Sequence, residues 1–162
     1  RAAIRAYEAA RRTDDTSSAM VLDAAAVELH PGGAATERTH QVIHVLDQQA
    51  VEQHGEVPVP AGAEVLTLRT HKPDGRTIEP ERTGGEKGTR SLAGLEPGDY
   101  VEVEHVRGLR GDGARFVADP FFFRAEGTRL FRSSYVVAAP AGLGLEVDAH
   151  GMAAPARGMD SQ

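Results

Sequence analysis

Cysteine is absent from the 162-residue chain. That removes disulfides, thiolate metal sites and any cysteine nucleophile, and it leaves the redox compartment unread. No apolar run approaches the ~18 to 20 residues of a membrane span, so direct membrane insertion is not expected. Asparagine is missing and lysine is scarce beside arginine, a bias we assign to genomic base composition before function. The net charge is −6, and the basic residues are scattered. A nucleic-acid partner needs a positive footprint for its phosphates, so none is expected. The chain opens on Arg1 and carries no apolar leader-like stretch at either end; it reads as a piece of a longer protein whose targeting signal lies outside it.

What remains is an ordinary globular composition, 40% hydrophobic and 26% charged. At this length folding buries roughly 70% of the unfolded surface, enough for a core without a staple. Arg1 to Arg12 is alanine-rich with Ile4 and Tyr7 at helical spacing, and it reads as a short helix, the tail of an upstream helical region spanning 1–18. The main domain is expected over 19–149, and 150–162 as a linker or disordered tail.

Within the domain the signals are those of strands. Met20 to His30 is closed by Pro31-Gly32-Gly33, and Thr36 to Gln48 carries Val42, Ile43 and Val45; together they predict a hairpin. Gln49 to Gly55 reads as irregular or extended, and Val57 to Pro60 as an edge-like segment with two prolines. Glu64 to His71 predicts a strand, and Pro73-Asp74-Gly75 a hairpin turn into Arg76 to Glu79. Glu81 to Arg90 reads as a loop. Pro97-Gly98-Asp99 then feeds an alternating strand, in which Val101, Val103 and His105 share one face while Glu102 and Glu104 share the other. Further strands are predicted over Leu130 to Ala139 and Leu143 to Val147. The three consecutive residues Phe121, Phe122 and Phe123 cannot all face one side. Short, evenly spaced strands with Gly/Pro turns imply an all-β, antiparallel β-sandwich with a short N-terminal helix.

Candidate chemistry is thin. His40 and His44 would share a metal on a helix, but on a strand they lie ~13 Å apart, so no metal site is expected. Glu102 and Glu104 could flank a sugar, or collect a calcium ion with Asp99. Alternation alone accounts for them as a solvated sheet face, which leaves Asp99, Glu102 and Glu104 as weak binding candidates. Thr83 to Thr89 lacks the Walker spacing, the Arg110-Gly111-Asp112 tripeptide arises easily by chance, and no serine has a nucleophile-elbow setting. The phenylalanines read as core. A hydrolase using Glu102 with Asp99 or His105 is a third, weaker reading, since no nucleophile, base and oxyanion site assemble in one motif. No catalytic residue and no cofactor are expected.

Taken in order, LTLRTHKPDGRTI (Leu66 to Ile78), GLEPGDYVEVEH, the FFF run and LFRSSYVVAAPAGLGLEV resemble a bacterial domain of unknown function that stands N-terminal to transglutaminase-like domains. The resemblance covers about Met20 to Asp148 and rests on the order of these segments. It implies a β-sandwich in a periplasmic or otherwise extracytoplasmic protein, with helical repeats sometimes preceding it. The implied partner is a downstream transglutaminase-like domain of the same chain; its Cys-His-Asp centre has no counterpart here. The loop after Gly108 is shorter and more charged than the family's. The expected role is therefore a non-catalytic accessory domain, with an independent carbohydrate- or peptide-binding module as the alternative.

Overall fold

A computed structural model describes residues 1–10, 15–80, 89–111, 120–123, 129–146, 150, 151, 153 and 155–158. The chain is mainly β: strands β1 (Ser18–Leu29), β2 (Ala35–Val45), β3 (Glu56–Pro58), β4 (Glu64–His71), β5 (Thr77–Ile78), β6 (Thr89–Ser91), β7 (Tyr100–Leu109), β8 (Arg129–Leu130) and β9 (Ser133–Ala138), with helices α1 (Ala2–Ala9) and α2 (Gln48–His54). Seven strands form one open sheet in the order β5-β4-β7-β2-β1-β8, with β9 continuing along the same side of β1. Strands β3 and β6 form a separate antiparallel pair.

The hairpin of β1 and β2 forms as the turn signal predicts. His30 N–H donates to Ala34 C=O, and Gly32 and Gly33 take φ of 94° and 87°, which only glycine adopts without strain. The alanines Ala24 to Ala26 follow the strand because β1 is paired on both sides, to β2 and to β9. The turn after β4 is a three-residue connection. Gly75 N–H donates to Lys72 C=O, Lys72 N–H donates to Arg76 C=O, and Gly75 sits at φ 88°, as in a turn closed by a glycine bulge instead of a two-residue primed turn.

Five sequence expectations are corrected. Residues 48–54 are helical, where the sequence pattern predicts a strand closing at Gln48 and an irregular or extended 49–55: Asp47 accepts a hydrogen bond from Ala50 N–H at 2.9 Å and caps a run of good helix formers. Thr89 and Arg90 belong to β6, because β3 offers them a partner. Leu130 to Ala139 is broken at Phe131-Arg132, facing the bulge in β1 between Met20 and Leu22, and both pieces pair with β1 in parallel. The sheet is therefore mixed, not antiparallel throughout. Residues 143–146 form no strand; Leu143 N–H only closes a turn onto Pro140 C=O. Asp112, Phe116 and Thr83 to Lys87 lie outside the described residues.

Two layers cover the sheet. On one face α1 inserts Ile4 and Tyr7 among Ala19, Val21, Val42 and Tyr100, so the N-terminal helix is packed into the folded unit. Tyr7 meets His44, Tyr100 and Phe131 edge-on, and His44 stacks on Tyr100 with ring centres 4.2 Å apart. On the other face α2, β3 and the segment after β6 contribute Ala50, Val57, Leu92 and Leu95 to a core with Val45, Leu68, Val101 and Val103. Among the described phenylalanines, Phe121 stacks against Tyr135 while Phe122 is 69% exposed, as an unbroken Phe run requires.

Val101 is completely buried between β2 and β4. Val101→Ala is expected to lower unfolding free energy by about 2–4 kcal/mol through lost burial and a residual cavity. Asp47→Ala should cost about 1 kcal/mol through the lost cap. Urea denaturation monitored by circular dichroism measures both.

Candidate functional site

The alternation of β7 places Tyr100, Glu102 and Glu104 on one face and Val101, Val103 and His105 on the other. Register decides what the two glutamates meet. Glu102 lies opposite Val42 on β2 and Arg69 on β4, and Glu104 lies opposite His40 and Thr67. Residues directly opposite share a face, so donors converge on this one from both neighbours.

Glu102 is 4% exposed, which corrects the expectation of a solvated face. Its Oε1 accepts from His40 Nε2 at 2.9 Å, and its Oε2 accepts from Arg69 Nε at 2.7 Å and from His71 Nε2 at 2.5 Å. The reason is position: β7 is an inner strand with hydrogen-bond donors on both sides, His40 on β2 and Arg69 and His71 on β4. Hydrogen bonds from His40, then from Arg69 and His71, together with the Arg69 charge, outweigh burial and hold the carboxyl far below its ordinary range. Such a group carries no proton to donate at neutral pH, and both its oxygens are already engaged. It is poorly placed to act as a general acid or base.

The network extends outward. Thr77 Oγ1 lies 3.3 Å from His71 Nδ1 and accepts from Arg1 at 2.8 Å, which ties the start of the chain to β5. Glu104 accepts from Arg38 Nε at 2.8 Å, and Thr67 donates to its other oxygen at 3.4 Å. The Arg38 side chain is 60% exposed, so this outer pair contributes little.

Asp99, 1% exposed, answers to a different partner. Its Oδ2 accepts from Lys72 Nζ at 2.8 Å and from Glu96 N–H at 2.8 Å. Lys72 also donates to Gly94 C=O and to Glu96. Burial acts to lower the Lys72 pKa, but hydrogen bonds and charges from Asp99 and Glu96 outweigh it and leave it raised. This pair clips the turn before β7 onto the turn after β4. Gly98 N–H completes the joint by donating to Val45 C=O at 2.7 Å.

The structure thus separates the candidates. Glu102 and Glu104 share a face, Asp99 belongs to the Lys72 clip, and His105 stands on the opposite face. His40 and His44 lie on β2, one bound to Glu102 and the other packed on Tyr100. Among the described residues no group of three His, Cys, Asp or Glu side chains could hold a metal ion. Sequence reasoning missed His40, Arg69 and His71 as partners of Glu102. The signal on β4 was there in outline: hydrogen-bonding residues at every second position, Thr67-Arg69-His71, with the arginine opposite in charge to the acidic face of β7.

No family model matches the chain, and no curated protein matches it. Among solved structures it is similar to a putative protease from Parabacteroides distasonis ATCC 8503, with a TM-score of 0.60 and 14% identity over 78% of this chain. The likeness is one of fold. The chain spans only 29% of that longer protein.

Removing the charge of Glu102 and one of its two acceptor oxygens leaves the buried His71 and the half-buried His40 and Arg69 competing for the one that remains. Glu102→Gln is expected to destabilise by about 3–5 kcal/mol, the cost of breaking a buried pair from one side; Glu104→Gln should stay within about 1 kcal/mol. The pH dependence has a definite sign. The folded carboxyl lies below its ordinary value of 4.5, so its stabilisation is fully present above that value and is lost as pH falls beneath it. Denaturant midpoints measured from about pH 7 down to about pH 3 should fall in the wild type and flatten in Glu102→Gln.

Proposed function

We propose that the chain is a non-catalytic accessory β-sandwich domain of a larger protease- or transglutaminase-like bacterial protein, packing against or presenting substrate to a downstream catalytic domain. The observation that carries this reading is the fold likeness to under a third of a longer protein described as a putative protease. The resemblance of Leu66 to Ile78 and Leu95 to Glu104 to a domain preceding transglutaminase-like enzymes points the same way. The sandwich description rests on the small β3–β6 sheet facing the large one across a shared core of Val57, Leu92, Val101 and Val103. The engagement of both Glu102 oxygens by neighbouring strands favours a structural carboxylate over a hydrolytic one. An extracytoplasmic location accompanies this reading.

One observation favours a second reading, an independent carbohydrate- or peptide-binding module. Phe122 is 69% exposed beside Phe121 and Phe123, whose rings meet edge-on, and an exposed ring is what a stacking platform needs.

The test is the coding sequence beyond Gln162. A Cys, a His and an Asp in a transglutaminase-like pattern within the next couple of hundred residues are expected. Their absence would overturn the coupling to such a domain.

A further inference from the structure

Face to face with the Glu102 network, across the sheet, lies a cavity of about 210 Å³ between α2, β3 and the inner strands β2 and β7. Its floor is apolar, made by Val101 and Val103, while Gln41, His54 and His105 bring polar groups to its wall and Glu56 lies among its lining residues. Two of these polar groups are half-committed. Gln41 Nε2 donates to Asp23 at 2.9 Å, which leaves its carbonyl oxygen as an acceptor. His54 Nε2 lies 3.2 Å from Ser18 Oγ, which leaves Nδ1. His105, half-buried, makes no side-chain hydrogen bond among the described residues.

We propose that this cavity is a binding site for a small uncharged ligand with an apolar body and a hydrogen-bonding head, of the primary-amide kind, held by His105 and the Gln41 carbonyl over the valine floor. The site goes beyond the accessory role and does not depend on it. Size sets the class: at ~30 Å³ per water the space holds about seven waters, or a ligand of roughly ten non-hydrogen atoms. That is smaller than the usual drug-sized pocket of about 300–1,000 Å³. Polarity narrows it further. Burial lowers the pKa of both His54 and His105, so each imidazole is neutral at physiological pH and offers a donor and an acceptor, not a cation. An anion entering the cavity would be desolvated with no cation among the lining residues and with the Glu56 carboxylate among them. A neutral amide finds complementary groups instead: its N–H donates to the Gln41 oxygen, and its carbonyl accepts from His105.

The experiment uses benzamide as the probe and benzoate as its charged counterpart of the same shape, each titrated into the isotope-labelled chain and followed by NMR. Saturable benzamide shifts are expected at the Val101 and Val103 methyls and the Gln41 side-chain amide, with benzoate binding roughly tenfold more weakly or not at all. His105→Leu should weaken benzamide by about tenfold, and His105→Gln, which restores a donor and an acceptor, should recover part of it. Absence of saturable shifts at those residues would overturn the site, as would equal binding of benzoate or benzamide affinity unchanged in His105→Leu. The benzamide and benzoate comparison needs no variant, so a Leu variant that failed to fold would still leave the proposal decided.

Discussion

A carboxylate sits in the middle of the sheet, and the three inner strands are arranged around it. Glu102 on β7 is tied to β2 through His40 and to β4 through Arg69 and His71. Burying a charge is costly in isolation, and good geometry with several donors is what offsets it. The consequence is register. A one-residue slip of β7 would turn Glu102 into the apolar core beside Val45 and Leu68 and leave Arg69 and His71 without their acceptor. Apolar packing on the opposite face tolerates exchange of one valine for another; this polar face does not.

The remaining architecture follows from covering both faces of that sheet. Helix α1 closes one face with an aromatic cluster in which Tyr7 meets His44, Tyr100 and Phe131. Helix α2 and the β3–β6 pair close the other over Val101 and Val103. The connections are held by short polar clips. Lys72 and Asp99 join the turns at one end of β4 and β7, and the broken β8–β9 edge is joined to β1 by Phe131 N–H to Met20 C=O and Asp23 N–H to Arg132 C=O, each at 2.9 Å. β7 is antiparallel to β2 and β2 to β1, so β7, β8 and β9 all run in the direction of β1.

The two faces differ in what they offer chemically. The Glu102 face is saturated: each carboxylate oxygen has its donors, and the outer Glu104 pair is solvent-screened. The opposite face holds the cavity, where His105 and the Gln41 oxygen make no side-chain hydrogen bond among the described residues.

Strands β1, β2, β4 and β7 and the turns at Gly32-Gly33 and Gly75 were legible in the sequence, because period-two alternation and the φ demands of glycine and proline are local. So was the division of β7 into an apolar and an acidic face, and with it the burial of Val101 and Val103. Helix α2 had a local signal that the sequence reading passed over, the Asp47 cap before a run of good helix formers. The mixed sheet, the burial of Glu102 and the cavity beneath His105 were decided only by tertiary structure, because each depends on which strand lies beside which. His40, Arg69 and His71 stand 62, 33 and 31 residues from Glu102 along the chain, and no local pattern reports a meeting made by register across three strands.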